Sequence, residues 1–386
     1  MLELALLFAL LPVAAATGWY MGRYRGSSRN RQKALSSSYF RGLNYLLNEQ
    51  PDKAIEVFLA IAEINRDTVE THLALGNLFR RRGEMDKAIR FHKHIITRPS
   101  LTNEQRSQAL LELGEDYMRA GLLDRAERLF SELLDHDPRA EVPTRQLLDI
   151  YQQEKDWEKA IDKARHLHGD NVDRQSLIAQ FYCEMASQEL KAGNFDKVSQ
   201  LLRQARHHDS RNPRARLLQG ELAWRQQDWE TAARHYREAC EMDSDCAIQV
   251  LDRIVEGHER VNALGDLQQW LTKLTERSNL TTPVLTLARI KAEEDIQSAV
   301  DYLLEQLSQR PTVRGLEYLM DLLNRQGVSL DQVGPELIRD LMQRLLEGQP
   351  RYRCQHCGFS GTSYHWLCPS CRRWNTTRAI TGVLGE

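Results

Sequence analysis

Three stretches of the chain align without a gap: GLNYLLNEQPDKA (residues 42–54), GNLFRRRGEMDKA (76–88) and GEDYMRAGLLDRA (114–126). Each opens on glycine, carries an aromatic residue three positions later and an acidic residue two before its end, and closes on alanine. Indexed on that closing residue, the pattern returns at Ala54, Ala88, Ala126, Ala160, Val198 and Ala232, always 34 or 38 residues apart. Twelve positions before the index stand Gly42, Gly76, Gly114, Leu148, Ala186 and Gly220, mostly small. Nine before it stand Tyr45, Phe79, Tyr117 and Tyr151, after which Glu189 and Ala223 break the aromatic rule. Two before it stand Asp52, Asp86, Asp124, Glu158, Asp196 and Glu230, placed to cap or complement the positive start of a second helix.

A period of this length with a small and an aromatic position per unit predicts paired helices. Two helices alone cannot bury their apolar faces, so each pair must stack on the next. Gly83, Gly121 and Gly193 fall in the turns inside the pairs, where a left-handed cap is needed, and Pro99, Pro138 and Pro213 mark the breaks between pairs. Spacing and residue types resemble the tetratricopeptide repeat, a 34-residue helix-turn-helix unit. The expected fold class is all-α: a tetratricopeptide-repeat superhelix (α-solenoid) over residues 36–244 with about six clear units. Residues 245–347 read as degenerate helical repeats, with periodicity over Ile248–Val261, Leu267–Leu274, Leu285–Leu307 and Leu316–Leu346; a separate helical bundle is the alternative there.

Repeats of this kind offer a concave face that takes peptides or proteins. In the family pattern its inner positions follow the small residue of the first helix by one, four and five. The resemblance therefore implies Asn77, Arg80 and Arg81, then Glu115, Met118 and Arg119, then Glu221, Trp224 and Arg225 as groove residues. The competing reading of Arg and Glu on helices is a solvated face.

Composition agrees with a helical, globular chain. Its 386 residues contain 21 glycines and 11 prolines, below the roughly 12% usual for the two together. With 52 basic against 54 acidic residues, nothing global marks a nucleic-acid binder, so any electrostatic specialisation is local.

The amino terminus has no charge from Leu4 to Tyr20, and as a helix Leu2–Met21 reaches about 30 Å, one hydrocarbon thickness. Secretory signals carry their positive charge before the apolar run. Here Arg23, Arg25, Arg29, Arg31 and Lys33 follow it, which predicts an uncleaved single-pass anchor at 1–22, a basic flank at 23–33 and the bulk of the chain in the cytoplasm.

Four of the seven cysteines crowd the other end, as Cys354-Gln-His-Cys357 and Cys368-Pro-Ser-Cys371. Each C-x-x-C turn aims two sulfurs at one point, and two such turns make the tetrahedral four-sulfur set that suits one zinc or iron ion. His356 and His365 are nearby, but four sulfurs already complete the shell. Tyr352-x-Cys-x-x-Cys-Gly-Phe359 and Trp366-x-Cys-Pro-x-Cys resemble rubredoxin knuckles, which implies a rubredoxin-like metal-binding domain over 350–386. The loop between pairs is shorter than in a rubredoxin, and Arg372 stands where a closing glycine is usual. Arg351, Arg353, Arg372, Arg373 and Arg378 meet no acidic residue between Arg351 and Ile380, which predicts packing against an acidic surface of the chain's own repeats or of a partner. Cys183, Cys240 and Cys246 have no metal-ligand spacing and read as buried thiols.

No nucleotide-binding loop, H-E-x-x-H helix or G-x-S-x-G elbow occurs, and no catalytic residue is assigned. Anchor, repeats and terminal four-cysteine domain, in that order, resemble the lipopolysaccharide assembly protein B family of Gram-negative bacteria. That resemblance implies a non-enzymatic inner-membrane adaptor facing the cytoplasm. Its implied partners are the membrane-bound AAA+ protease, the lipid A pathway deacetylase whose turnover it promotes, and other lipopolysaccharide assembly proteins. Two alternatives stay open: a membrane-tethered, rubredoxin-like electron carrier using iron, and an arginine-rich zinc ribbon for nucleic acid, which a tethered repeat protein suits poorly.

Overall fold

A computed structural model describes residues 40–42, 44–45, 48, 50–64, 69–99, 101–167, 171–261, 264–326, 342–343, 346–383 and 385. The expected anchor at 1–22 and its basic flank lie outside them; among the described residues no helix is long and apolar enough to cross a membrane. The chain divides after residue 168 into two compact units.

In the first unit, helices α1 (Pro51–Ile64), α2 (Val69–Arg81), α3 (Met85–Ile96), α4 (Asn103–Arg119), α5 (Leu123–His136), α6 (Glu141–Glu154) and α7 (Trp157–His166) follow one another through short turns. The small position of each pair is an imprint of the side chain four residues after the index. A Cβ on Gly42 would meet Phe58 at 2.7 Å, on Gly76 His92 at 2.2 Å, and on Gly114 Phe130 at 2.5 Å. Where the small residue is replaced by Leu148, the facing position holds Ala164, and both are buried. Volume is exchanged between the two helices, as close packing requires.

The aromatic position has a partner as well, one residue before the index. Lys53 lies over Tyr45 at 5.7 Å, Lys87 over Phe79 at 5.4 Å, Arg125 over Tyr117 at 5.8 Å and Lys159 over Tyr151 at 5.0 Å. These cation–π contacts tie the two helices of each pair across the turn.

The second unit continues with α8 (Asn171–Ala192), α9 (Phe195–His208), α10 (Pro213–Arg225), α11 (Trp229–Met242), a 3₁₀ turn at Ser244–Cys246, then α12 (Ala247–Arg260), α13 (Leu264–Arg277), α14 (Thr281–Glu294), α15 (Ile296–Gln309) and α16 (Val313–Arg325). The rules persist with substitutions. Gly220 receives Tyr236 at 2.5 Å. Glu189, standing where the aromatic would be, pairs with Lys197, so a salt bridge replaces the ring contact. Helix pairing continues past residue 245, and the periodic run Leu285–Leu307 is two helices. Asp295 divides them, its carboxylate accepting from the amides of Gln297 and Ser298 at 3.2 and 2.9 Å as the N-cap of α15.

The turns inside the pairs adopt left-handed backbone at one fixed place, five before the index. Gly83, Gly121 and Gly193 have φ of 80°, 74° and 81°, and Lys155 and Gln227 are held at 59° and 62° without glycine's freedom. The acidic residues two before the index sit inside the first turn (Asp86, Asp124, Glu158, Asp196, Glu230), where they complement the helix dipole rather than cap. Capping falls instead to Asp156 and Asp228, which accept from the amides of Lys159 and Thr231 at 3.2 and 3.1 Å.

Candidate metal centre

After residue 350 the chain changes to strand. β1 (Tyr352–Cys354) lies between β2 (Ser360–Gly361) and β3 (Thr377–Ala379), antiparallel to both. Alternation along β1 buries Tyr352 and Cys354 and exposes Arg353. Two knuckles with the same bonding bring the sulfurs together. In the first, the amide of Gly358 donates to Cys354 O at 2.9 Å and that of Cys354 to Phe359 O at 2.7 Å. In the second, the amide of Arg372 donates to Cys368 O at 2.9 Å and that of Cys368 to Arg373 O at 3.0 Å. Gly358 and Arg372 both close their knuckles with positive φ, 78° and 54°, so the arginine in the glycine position keeps the turn and bears its strain.

The thiol sulfurs of Cys354, Cys357, Cys368 and Cys371 lie within 4.8 Å of one another. Cys354 to Cys371 and Cys357 to Cys368 each measure 3.7 Å. A tetrahedron with metal–sulfur bonds of ~2.3 Å has edges of about 3.8 Å, so these two edges already match one bound ion and the donor set is compact enough to close around it. Four sulfurs suit zinc and iron alike. The bare Cys354 thiol is held down at about 6, first by its hydrogen bond with the Thr376 hydroxyl, whereas burial pushes Cys371 up to about 11. His356 and His365 stand outside the sulfur group: Nδ1 of His356 accepts from Arg373 at 3.2 Å, and Nε2 of His365 lies 3.1 Å from the Ser363 hydroxyl.

This small domain is fastened to the helices of its own unit. Arg378 pairs with Asp243 at 2.5 Å and Asp245 at 3.9 Å, and the Ala379 amide donates to Asp245 at 3.1 Å. Arg214, 8% exposed, lies over Trp366 and Trp374 at 5.8 and 5.9 Å and pairs with Glu184 at 3.0 Å. Gln180, fully buried, donates to Asn375 at 3.1 Å, and Phe181 meets Trp374 edge-on at 6.0 Å. Trp366 and Ala379 complete an apolar cluster containing Tyr236, Cys246, Leu271 and Leu287. For Arg378, the acidic surface expected from the arginine excess is therefore on the chain's own repeats. Sequence reasoning missed Gln180, Arg214, Asp243, Asp245 and Thr376, because nothing local marks them.

Cys183, Cys240 and Cys246 are buried; burial pushes the first two up to about 12 and the third well above its usual range. They are neutral packing residues.

The groove candidates divide. Arg81 and Arg119 are exposed, and Asn77, Glu115 and Met118 are half-buried, with Asn77 Oδ1 enclosed and without a hydrogen bond. Arg80 is 8% exposed, and its guanidinium is bound to Glu112 at 2.5 Å, Asp116 at 2.9 Å and Glu115 at 3.1 Å. The carboxylates of the next repeat claim it, with Asp116 also 2.5 Å from His92. In the second unit Glu221 pairs with Arg225 at 3.1 Å and with Arg253, while Trp224 packs edge-on to Trp229 at 4.8 Å under Arg253 and Arg260. Only Arg225 of these three is exposed.

Tetratricopeptide-repeat family models match residues 71–105 and 183–245, and the model described as the rubredoxin metal binding domain matches 352–378. Lipopolysaccharide assembly protein B of Escherichia coli (strain K12) is 38% identical over 99% of this chain and 100% of that protein. The chain belongs to the lipopolysaccharide assembly protein B family. The Haemophilus influenzae member is 33% identical over 97% of this chain and 98% of its own length. Among solved structures, the C-terminal part of a TPR repeat-containing protein from Cytophaga hutchinsonii is 13% identical with a TM-score of 0.39, covering 68% of this chain and 98% of that one. A MamA protein is 19% identical with a TM-score of 0.33, covering 46% and 93%.

Proposed function

We propose that this chain is a non-enzymatic adaptor, tethered to the inner membrane by residues 1–22 and facing the cytoplasm, that regulates lipopolysaccharide synthesis. In this reading it presents the lipid A pathway deacetylase to the membrane-bound AAA+ protease. The observation that carries it is end-to-end similarity to lipopolysaccharide assembly protein B together with a metal domain built into the repeats. A domain of this size buries too little apolar surface to fold unaided, and a structural ion supplies on the order of 10–16 kcal/mol. Metal binding thereby decides whether the domain is folded to dock on Arg214, Asp243 and Asp245. Confinement to one membrane raises the effective concentration of two partners without a new contact.

The test is crosslinking and capture from intact membranes, comparing the full chain, a chain lacking residues 1–22, and Cys368→Ser. Loss of the protease and deacetylase crosslinks in both altered chains is expected. Capture of both by metal-free Cys368→Ser at the wild-type level would remove the coupling of metal to adaptor function.

One observation favours a second reading, electron transfer by bound iron: Cys357 is exposed and Cys371 partly so, leaving one side of the sulfur site open. Visible absorption that bleaches reversibly with dithionite supports it; full function of colourless, zinc-loaded protein excludes it.

A further inference from the structure

The arginines of the metal domain are used unequally. Of five in a stretch with no acidic residue between Arg351 and Ile380, Arg378 is spent on Asp243 and Asp245. Arg351 borders a cavity with the carboxylates of Glu317 and Asp321. Arg353, Arg372 and Arg373 are exposed, and no ion pair joins any of them to a carboxylate among the described residues. Arg353 is exposed on β1, directly across the ladder from Arg378 and on the same face of the sheet. Arg372 and Arg373 follow Cys371 immediately, with Arg373 lying 3.2 Å from the exposed His356. All three therefore leave the backbone within two residues of a sulfur in a group only 4.8 Å across. Over the whole chain acids slightly outnumber bases, so this local excess is not a general trend of composition.

We propose that Arg353, Arg372 and Arg373 form a docking surface for an acidic protein segment carrying two or three closely spaced Asp or Glu residues. Guanidinium forks match carboxylates two bonds at a time, which suits a short segment. Larger polyanions match poorly. A divalent ion on four thiolates carries a formal charge of about −2, leaving the three arginines a net surplus of about one. Nucleic-acid binders typically neutralise about 6–10 phosphates, and membrane-binding clusters hold about 4–8 basic residues. Arg353, Arg372 and Arg373 stay exposed while Arg378, Trp366 and Trp374 hold the domain to the helices, so they are available with the domain fastened. Its biological use rests on the adaptor reading, but the two fail separately: membrane crosslinks test the adaptor, peptide affinity tests this surface.

The experiment uses metal-loaded full-length protein in detergent. Its probes are a fluorescein-labelled peptide with three clustered glutamates, the same peptide with glutamines, phosphatidylglycerol vesicles and a 20-nucleotide RNA. Fluorescence anisotropy is expected to show glutamate-dependent binding that weakens at least tenfold when Arg353→Gln, Arg372→Gln and Arg373→Gln are combined, with metal content and helicity unchanged. Should the triple variant lose its metal, Arg373→Glu alone is expected to reject the glutamate peptide and accept its lysine counterpart. Wild-type peptide affinity in either variant overturns the proposal, as does arginine-dependent binding of vesicles or RNA tighter than that of the peptide.

Discussion

Exchange of volume between the two helices of a repeat is open to a direct test at Gly114 and Phe130. A Cβ added to Gly114 would meet Phe130 Cε1 at 2.5 Å and Cζ at 2.6 Å, and the ring is fully buried. Gly114→Leu therefore overpacks the pair by far more than one methylene, at a cost above the ~1–3 kcal/mol usual for such insertions, while the loss of a helical glycine returns about 1 kcal/mol. Phe130→Ala alone opens a cavity and costs about 3–5 kcal/mol. Combined, the two changes recreate in this pair the Leu148 and Ala164 arrangement of the next. The double variant is expected to be more stable than either single one, with a favourable coupling of about 2–3 kcal/mol, near the upper end for touching residues. Guanidinium unfolding followed by circular dichroism measures the ranking, and hydrogen exchange of α4 and α5 amides locates the effect. Additive losses, leaving the double variant below both singles, would refute the claim that the small position exists to receive the residue four after the index.

Other expected outcomes are simpler to measure. Lys155→Gly and Gln227→Gly relieve left-handed backbone now held at φ 59° and 62°, so each should stabilise the protein by roughly 1 kcal/mol and raise its melting temperature. Asp243→Asn with Asp245→Asn removes the charges that hold Arg378; faster proteolysis of residues 350–386 and slower metal retention against a chelator are expected, with the helix content preserved. Burial, more than the neighbouring Arg216 and Arg234, holds the His235 imidazole below its usual range against the pull of Glu238. Its neutral form is favoured in the fold, so its contribution is present above ~6.5 and is lost as the pH falls below that value. His235→Gln should flatten the stability curve between about pH 7 and 5; an unchanged acid slope would show that another group governs it.

The repeats were legible in the sequence because their information is local. Turn glycines, small positions and knuckle cysteines act within one helix pair or one hairpin, at spacings that the geometry of a helix or a turn sets directly. The four sulfur ligands are the clearest instance, since C-x-x-C brings two thiols together with no help from the rest of the chain. Even the glycines predicted to be left-handed share that backbone region with Lys155 and Gln227, whose side chains hid a turn at the same position. Partners of long side chains were not legible. Arg80 resembles an open groove residue until the next repeat delivers Glu112 and Asp116, some 32 and 36 positions on. Leu285–Leu307 reads as continuous apolar periodicity, although Asp295 caps a second helix inside it. Sequence alone thus determined that this protein is a stack of helix pairs ending in a four-sulfur metal knuckle, since both are specified by short-range spacing. Only the tertiary structure decided where the knuckle sits: Arg378 finds Asp243 and Asp245 across about 135 residues, a match of charge and shape that exists only after the helices between them have packed.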